Sequence, residues 1–316
     1  MKDKSSKLTL DSKKDYRQGI ISSLICNIWW GIMPIYWQLL RPINSWVIIF
    51  YRIVLVAVVC LAAALMIYDK KTIFEPLKDK KTVIRYVLAG ILITANWSIY
   101  IWAVNANLVI QTCIGYYIEP LAICLFGIIL FKDKMSKYKI TAFALAALGV
   151  AAVIIYFKEI PLVALSLAAT FSVYAAIKKN FAMPPILSLL YETIFLLPVG
   201  LAVVIYIEAT GQGALNAVWG TESYKYWLLM LCGLFTAVPL VSFADAANKL
   251  NLFTVGLFNY ISPTISLVIG IFLFKEPFEP IQLIAFAVIW IGLVFFSYGE
   301  YKESKEVEKK EESVLL

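Results

Sequence analysis

The chain has 316 residues, of which 61% are hydrophobic and 16% are charged, with a mean hydropathy of +0.81 and a formal net charge of +7. Ordinary soluble domains carry roughly 25% charged residues, so this composition excludes a soluble enzyme. The sequence contains no histidine, which removes serine–histidine catalysis and histidine ligation of metals. We therefore expect a membrane protein that is not an enzyme and that uses no metal or other cofactor.

The first predicted element is a polar, lysine-rich tail, 1–18, followed by an apolar run. This run is too long for the core of a signal peptide and has no small-residue cleavage site, so it is predicted to be a retained span. A span needs about 20 apolar residues, and similar runs recur between charged and turn residues. They predict ten spans: 19–40, 45–68, 86–104, 110–131, 140–157, 162–178, 186–207, 226–248, 254–274 and 281–298.

The first and third spans contain polar and aromatic side chains that could meet a ligand. Aromatic rings away from the span ends can stack on a substrate or hold an ammonium group by cation–π attraction. Contact with lipid or with neighbouring helices is an equal alternative. These candidates are Trp30, Asn96, Trp97 and Tyr100. Tryptophans nearer the span ends are expected to be interfacial anchors: Trp37, Trp46, Trp102 and Trp227.

The fourth and ninth spans each carry a polar stripe at helical spacing. The stripes are Thr112, Tyr116, Glu119 and Ile123 in the fourth span, and Val255, Asn259, Ser262 and Ser266 in the ninth. Polar groups that face lipid are costly, so we expect the stripes to line a cavity, with helix packing as the alternative. Glu119 lies near the midplane, where it would bind a cationic group, carry a coupling proton, or remain protonated as a structural group.

Three further charged residues are candidates for coupling or gating. Arg52 and Glu192 lie about seven residues from opposite membrane faces, so at 1.5 Å per residue they are predicted not to touch. Asp245 lies one turn before Lys249 near the end of its span, where an interfacial ion pair would explain it. Prolines within spans can kink helices, and these are Pro34, Pro120, Pro239 and Pro263.

An internal repeat relates the two halves of the chain at an offset of 143 residues. The offset aligns 117–120 with 260–263, 127–133 with 270–276, and Gly149 with Gly292. Each half contains five spans, an odd number, so the second half must be inverted relative to the first, as in many transporters. The predicted organisation is a tail (1–18), a first repeat (19–157), a second repeat (162–298) and a tail (299–316).

The basic residues predict the orientation. Counting Lys178 at the last residue of its span, 23 fall on the side of the two termini, against Arg41, Lys158, Lys225 and Lys275 on the other side. The excess places both termini in the cytoplasm. The carboxy-terminal tail alternates Lys and Glu and is predicted to be solvated or disordered. The five cysteines lie in apolar runs without CxxC spacing, which indicates small buried side chains.

Several short motifs carry a family resemblance. They are Trp30-Gly31 with Pro34, Asn96-Trp97 with 101–105, 115–121, Glu192-Thr193 with 196–198, and 260–264. Together they resemble the RarD proteins of the EamA branch of the drug/metabolite transporter superfamily, from Arg17 to about Tyr298. The resemblance implies a bacterial inner-membrane carrier with a central cavity lined by the first, third, fourth, sixth, eighth and ninth helices. It also implies an asparagine where this chain has Glu119, a difference that favours a ligand with a positive group.

We therefore expect a secondary transporter of a small polar metabolite, an amino acid or a related amine, that works by alternating access with proton linkage left open. Alternatives are a nucleotide-sugar or organophosphate exchanger, an exporter of drugs or toxic compounds, and a non-transporting membrane scaffold. A phosphate site needs cations, and apart from Lys178 at the last residue of its span, Arg52 is the only basic residue inside a predicted span. The expected partners are a small-molecule substrate and the lipid bilayer, without nucleic acid, and the protein is expected to be a monomer or a homodimer.

Overall fold

The computed structural model describes residues 2–131, 136–158, 160–178, 183–249 and 258–315, and every regular element within these residues is a helix. The helices are α1 (Lys2–Leu39), α2 (Ser45–Ile67), α3 (Lys70–Phe74), α4 (Lys80–Asn105), α5 (Val109–Phe131), α6 (Lys137–Phe157), α7 (Leu162–Lys178), α8 (Pro185–Ile194), α9 (Leu197–Ala209), α10 (Ala214–Val218), α11 (Ser223–Met230), α12 (Cys232–Lys249), α13 (Ile261–Val268) and α14 (Pro280–Leu315). A 3₁₀ turn, Glu75–Lys78, precedes α4, and a π-helical turn, Ile269–Leu273, follows α13.

The chain is a multi-pass membrane protein. Six stretches of the described residues are long and apolar enough to cross a bilayer: Asp15–Leu39, Ser45–Ile67, Lys80–Asn105, Lys137–Phe157, Ser223–Phe243 and Pro280–Gly299. A seventh candidate is the bent pair formed by Ile186–Ile194 and Leu197–Ala209. Leu162–Tyr174 and Ile261–Leu273 are shorter apolar helices. The total of ten spans therefore stays a prediction.

The structure corrects the predicted seventh and ninth spans, which are not continuous helices. The seventh is broken between α8 and α9, whose axes differ by 58°. Pro198 is the second residue of α9, and because proline lacks an N–H it cannot continue a hydrogen-bond ladder from a preceding helix. In the ninth, Phe258 is helical, and a turn at Asn259 and Tyr260 separates it from α13.

The tails also differ from the expectation. Helix α1 begins at Lys2, and α14 continues through the polar carboxy-terminal segment to Leu315, where the sequence predicts a solvated or disordered tail. Lys and Glu are good helix formers, and opposite charges one turn apart support a helix that is already nucleated within a span. Polar composition alone therefore predicts a start for α1 that is too late and an end for α14 that is too early.

The two halves pack in the same way, because each contact between two helices recurs between the repeat equivalents of those helices. Helix α1 packs on α12 as α7 packs on α4, and α5 packs on α7 as α13 packs on α1. Likewise, α2 packs on α12 as α8 packs on α4. The packing of the described helices therefore has the approximate twofold relation that the sequence repeat predicts.

The repeat is visible in atomic detail where α6 meets α14. A methyl group added to Gly149 would lie 3.1 Å from the carbonyl oxygen of Ala285, and one added to Gly292 would lie 3.1 Å from the carbonyl oxygen of Ala142. Small residues let two helix backbones approach closely. Because Ala142 and Ala285 are repeat equivalents, as are Gly149 and Gly292, each half supplies the same contact to the other.

Glu276 joins the halves at one end of the molecule. Its two carboxylate oxygens accept hydrogen bonds from the backbone N–H groups of Val109 at 2.8 Å and Ile110 at 2.9 Å, at the start of α5. These donors have no partner within their own helix. Burial raises the pKa of the Glu276 carboxyl, and the two backbone hydrogen bonds oppose that rise. The repeat-equivalent Asp133 lies outside the described residues.

Candidate functional site

Arg52 is a buried cation in the middle of the helix packing. It lies on α2, and only 8% of the residue is exposed. Its Nε donates a hydrogen bond to the Thr236 hydroxyl of α12 at 3.2 Å, and that hydroxyl donates in turn to the carbonyl of Cys232. The Nη1 atom is buried and has no hydrogen-bond partner among the described residues. A buried donor without a partner is costly, so this guanidinium is incompletely satisfied.

Two tryptophans flank the Arg52 guanidinium. Its central carbon lies 4.0 Å from the ring centroid of Trp97 on α4 and 5.4 Å from that of Trp37 on α1. Such contacts stabilise a cation through the ring quadrupole, although they give Nη1 no acceptor. The expectation that Trp37 is an interfacial anchor is wrong, because the residue is 1% exposed and belongs to the main core cluster.

A cavity opens beside Arg52 between the two halves. It has a volume of about 10 Å³, enough for about one water molecule, and the described residues that line it are Ile49, Arg52, Ile53, Thr94, Trp97, Ser98, Ile101 and Thr193. The Thr94 hydroxyl oxygen is buried and has no hydrogen-bond partner in the described part of the chain. The same cavity wall therefore holds two buried polar groups with unused hydrogen-bonding capacity, the Arg52 guanidinium and the Thr94 hydroxyl.

The break between α8 and α9 places Thr193 at this cavity. Thr193 is the penultimate residue of α8, and its own hydroxyl donates to the carbonyl of Leu189 at 2.8 Å. A Cβ atom at Gly90 would lie 2.1 Å from the carbonyl oxygen of Glu192, so glycine is required for α4 to approach α8 here. Broken helices at membrane depth commonly form substrate sites, because they are tolerated only where they line a cavity or are buried in protein.

Two of the predicted ligand residues form an aromatic pair near Arg52. The rings of Tyr100 on α4 and Tyr116 on α5 are 5.7 Å apart at their centroids. Both phenols are close enough to Arg52 to interact with it electrostatically, and Tyr116 interacts in the same way with Glu119. Tyr116 therefore lies between the buried cation and the acidic residue of the polar stripe.

The remaining predicted ligand residues are dispersed. Asn96 is 1% exposed and donates to the Leu167 carbonyl and to the Thr170 hydroxyl, both at 2.9 Å, so its amide connects α4 to α7. The rings of Trp30 and Phe243 lie 5.7 Å apart, between α1 and α12. Asn259 and Ser262 are partly buried, and Oδ1 of Asn259 has no partner within the described ranges. Val255 lies outside the described residues, as do the side chains of Ile123 and Pro120.

Glu192 is a second buried charge, with partners. Only 1% of the residue is exposed. Its carboxylate accepts hydrogen bonds from the Ser188 hydroxyl at 3.0 Å and the Tyr174 hydroxyl at 3.1 Å. Arg52 donates to Thr236, whereas Glu192 accepts from Ser188 and Tyr174. That Arg52 and Glu192 do not touch stays a prediction.

Asp245 forms the interfacial ion pair that its sequence position suggests. Its carboxylate accepts from Lys249 Nζ at 2.5 Å and from the Ser22 hydroxyl at 2.6 Å, just beyond the apolar span that ends at Phe243. The hydrogen bonds from Lys249 and Ser22 lower the pKa of this carboxyl. Asp245 therefore connects α12 to α1 at the end of the bundle, away from the Arg52 cavity.

The predicted helix kinks fall in different settings. Helices α1 and α12 continue through Pro34 and Pro239 without a break in the helical assignment. Helix α5 is likewise continuous through position 120. Pro263 instead lies in the first turn of α13, where a missing N–H costs little because that donor has no partner within the helix. The interruption of the ninth span lies before Pro263, at Asn259 and Tyr260.

A second, more open hollow has a volume of about 340 Å³. It is lined by Tyr117, Tyr260, Thr264, Trp290 and Leu293. The repeat-equivalent Tyr117 and Tyr260 rings stack at 6.4 Å, and the hydroxyls of Tyr117 and Thr264 are 2.6 Å apart. Because this hydrogen bond satisfies both hydroxyls, the hollow offers less unused polar capacity than the Arg52 cavity.

Several residues of the cavity are not among the predicted ligand residues. Arg52 is predicted to gate, Thr193 is named only as part of a family motif, and Thr94, Ser98 and Thr236 are not predicted. The spacing Thr94–Trp97–Ser98–Ile101 puts one face of α4 on the cavity, and that pattern was available in the sequence. Within the described residues, no group of three His, Cys, Asp or Glu side chains could hold a metal ion.

Comparison with known proteins adds the family context of this site. The sequence profile of the EamA-like transporter family matches the chain twice, over residues 17–155 and 160–298. The chain is 35% identical over 290 residues to YojE, an uncharacterized transporter of Bacillus subtilis (strain 168), covering 90% of this chain and 95% of that protein. It is 30% identical over 287 residues to Protein RarD of Escherichia coli (strain K12), covering 90% and 95% respectively. A solved crystal structure aligns with a TM-score of 0.57 at 16% identity, covering 88% of this chain and 96% of the other, which indicates a shared fold.

Proposed function

The chain belongs to the EamA-like transporter family, and from this premise we propose that it moves a small polar metabolite, an amino acid or a related amine, across the membrane. Transport proceeds by alternating access, in which the two inverted halves rock about a shared site. Both termini lie in the cytoplasm, as the excess of basic residues on their side favours. The membrane is the bacterial inner membrane, as the similarity to bacterial transporters and RarD proteins favours.

The observation that carries this proposal is the position of the Arg52 cavity between the halves. Arg52 and Trp97 belong to the first half, whereas Thr193 and the hydrogen-bond partner Thr236 belong to the second. A site shared by two repeats changes its exposure when the repeats rock against each other. The buried polar groups of Arg52 and Thr94 without partners support a site that takes a polar ligand.

Glu119 is proposed as the group that carries a coupling proton or meets a cationic part of the substrate. It is partly buried, lies one turn from Tyr116 on the stripe that reaches the Arg52 region, and has no hydrogen bond or ion pair with any described residue. A carboxylate inside a membrane protein is costly unless it has a function or a partner. This supports a functional role.

The organophosphate alternative is weaker. A phosphate needs several cations or oriented donors, and among the described residues that line the cavity Arg52 is the one basic residue. A non-transporting scaffold would gain nothing from the incompletely satisfied Arg52 guanidinium. The Arg52 cavity therefore favours a ligand with little net charge.

Counterflow in proteoliposomes tests the proposal. Full-length protein is reconstituted with one unlabelled amino acid or amine inside, and entry of the labelled compound is followed, with protein-free liposomes as the control. We expect at least one amino acid or amine to drive counterflow that an external excess of the same compound abolishes. Exchange of nucleotide sugars or phosphate esters alone, with no exchange of amino acids or amines, would contradict the proposal.

A further inference from the structure

We propose that the connection between α2 and α4, the segment 69–81, binds the phosphate headgroups of anionic phospholipids. The segment contains α3, the 3₁₀ turn and the start of α4. This inference goes beyond the proposed function and shares with it only the orientation, which places the segment on the cytoplasmic side of the membrane.

The first step of the argument is position. Helix α2 ends at Ile67 and α4 begins at Lys80, and both belong to stretches that are apolar enough to cross a bilayer. Near the segment, the apolar side chains of Met66 on α2 and Ile84 on α4 are exposed. Exposed apolar side chains of spanning helices contact lipid, so the segment between these helix ends lies beside the headgroup layer.

The second step is charge. The segment has three acidic residues, of which Asp69 accepts a hydrogen bond from the Thr72 hydroxyl. Asp79 accepts from the backbone N–H of Thr82 at 3.1 Å and from its hydroxyl at 2.6 Å. The third, Glu75, is exposed. The segment also has five lysines, all exposed, and none of them forms an ion pair with a described residue. These are Lys70, Lys71, Lys78, Lys80 and Lys81. Basic clusters next to a span attract anionic lipids.

The third step is the way in which the segment is held. Ile73 is 2% exposed and belongs to a core cluster that includes Tyr86 and Tyr191. The Tyr191 hydroxyl of α8 donates to the Ile73 carbonyl at 2.5 Å. The neighbouring Phe74, by contrast, is 52% exposed. The segment therefore packs one apolar side chain into the protein and leaves an aromatic ring and the lysines outside, a combination typical of elements in the membrane interface.

These features favour a phospholipid over a soluble anion. The phosphate of an anionic headgroup pairs with ammonium groups through charge-assisted hydrogen bonds. A soluble phosphate would meet the same lysines but would leave the Phe74 ring in water, whereas the upper acyl region of a lipid covers an apolar ring. The negative surface of the cytoplasmic leaflet supplies such lipids next to the segment.

Titration with defined lipids tests the inference. The purified full-length protein in detergent is titrated with phosphatidylglycerol, which is anionic, or with phosphatidylcholine of the same acyl chains, which has no net charge. Native mass spectrometry counts the lipids that are bound at each concentration. We expect one phosphatidylglycerol to bind about tenfold more tightly than phosphatidylcholine, because several lysines attract only its headgroup. This measurement does not require transport, so its failure is distinguishable from failure of the counterflow test.

Two double variants assign the preference to the segment. Lys70→Gln with Lys71→Gln removes two charges from α3 and should reduce the preference for phosphatidylglycerol to about twofold or less. Lys158→Gln with Lys275→Gln removes the same number of charges from exposed lysines that also adjoin apolar helices but lie outside the segment. This control should leave the preference unchanged. If the α3 variant does not fold, Lys78→Gln with Lys81→Gln makes the same reduction in charge and should have the same effect.

The possible results are distinct. A preference for phosphatidylglycerol that requires the lysines of the segment supports the inference. Equal binding of the two lipids, or a preference that the variants of the segment keep, overturns it. Soluble glycerol 3-phosphate that displaces phosphatidylglycerol at a similar concentration also overturns it, because the site would then recognise the phosphate alone. Weaker binding of phosphatidylglycerol to Phe74→Ala supports a lipid as the occupant.

Discussion

Arg52 and Glu192 are both charged, both more than nine-tenths buried and both close to the break between α8 and α9, yet their surroundings differ. Glu192 accepts hydrogen bonds from Ser188 and Tyr174. Within the described residues Arg52 has one hydrogen bond, two aromatic neighbours and an Nη1 atom without a partner. Burial of a charge is therefore a poor guide to function by itself. A buried charge that already has partners within the protein is a structural group, whereas one without enough partners is a candidate to bind a ligand.

The largest effect is expected on transport when the Arg52 guanidinium is removed. Arg52→Met keeps an unbranched side chain but removes the guanidinium, so substrate transport should fall by at least about thirtyfold, the effect of losing a buried charged partner. The free energy of unfolding without substrate should stay the same or rise by about 1 kcal/mol, because an unpartnered buried donor is removed. Counterflow and thermal unfolding of the same preparation measure both. Arg17→Met is the matched control, and a fall in stability of more than about 2 kcal/mol would show that Arg52 is structural.

Glu192 should behave in the opposite way. Glu192→Leu leaves the Ser188 and Tyr174 hydroxyls without their acceptor, and hydrogen bonds to charged groups are worth about 1.5–3 kcal/mol each. The substitution also removes the cost of burying the carboxylate, which offsets part of this loss. We therefore expect the free energy of unfolding to drop by about 2–3 kcal/mol, measured by denaturation in detergent micelles. Glu192→Gln, which keeps an acceptor, should recover part of the loss. Equal stability of the leucine variant and the wild type would remove the distinction drawn between the two charges.

Glu276 extends the comparison to another partnered carboxylate. Glu276→Ala removes the acceptor for the N–H groups of Val109 and Ile110, and loss of such a helix cap costs about 0.5–2 kcal/mol. Hydrogen exchange at these two amides should accelerate, because they lose their hydrogen bonds. Glu279→Ala, at an exposed position in the same loop, is the control. Unchanged exchange at Val109 and Ile110 would contradict the capping role.

The smallest effect is expected at Asp245, whose ion pair with Lys249 is partly exposed. Such pairs contribute about 0–1 kcal/mol, so Asp245→Asn should change stability at neutral pH by no more than that. The hydrogen bonds from Lys249 and Ser22 lower the pKa of Asp245 in the folded protein. The stability that Asp245 contributes is therefore fully present above its unfolded-state pKa of about 3.9. It is lost as the pH falls through the lower folded-state pKa. The difference between wild type and variant should therefore shrink at acidic pH. A difference that grows on acidification would show that Asp245 is stabilised in its protonated form.

Part of the candidate site could be predicted from the sequence. The stripe on the fourth span and the aromatic run on the third identified Tyr116, Trp97 and Tyr100, and the structure brings these residues near Arg52. Asn96 is adjacent to Trp97 in the chain, yet it bonds to α7. Successive residues on a helix point about 100° apart, and the sequence does not reveal which direction faces a neighbouring helix and which faces a cavity.

The sequence by itself determined the class of the protein and its symmetry. Apolar length requires a membrane protein, and one offset of 143 residues relates the halves, because composition and periodicity act locally along the chain. Only the tertiary structure decided that Arg52 meets Trp97 and Thr236, that Glu192 is satisfied by Ser188 and Tyr174, and that the seventh predicted span is broken. Those outcomes depend on how the helices rotate and cross, which is set by packing between residues far apart in the sequence.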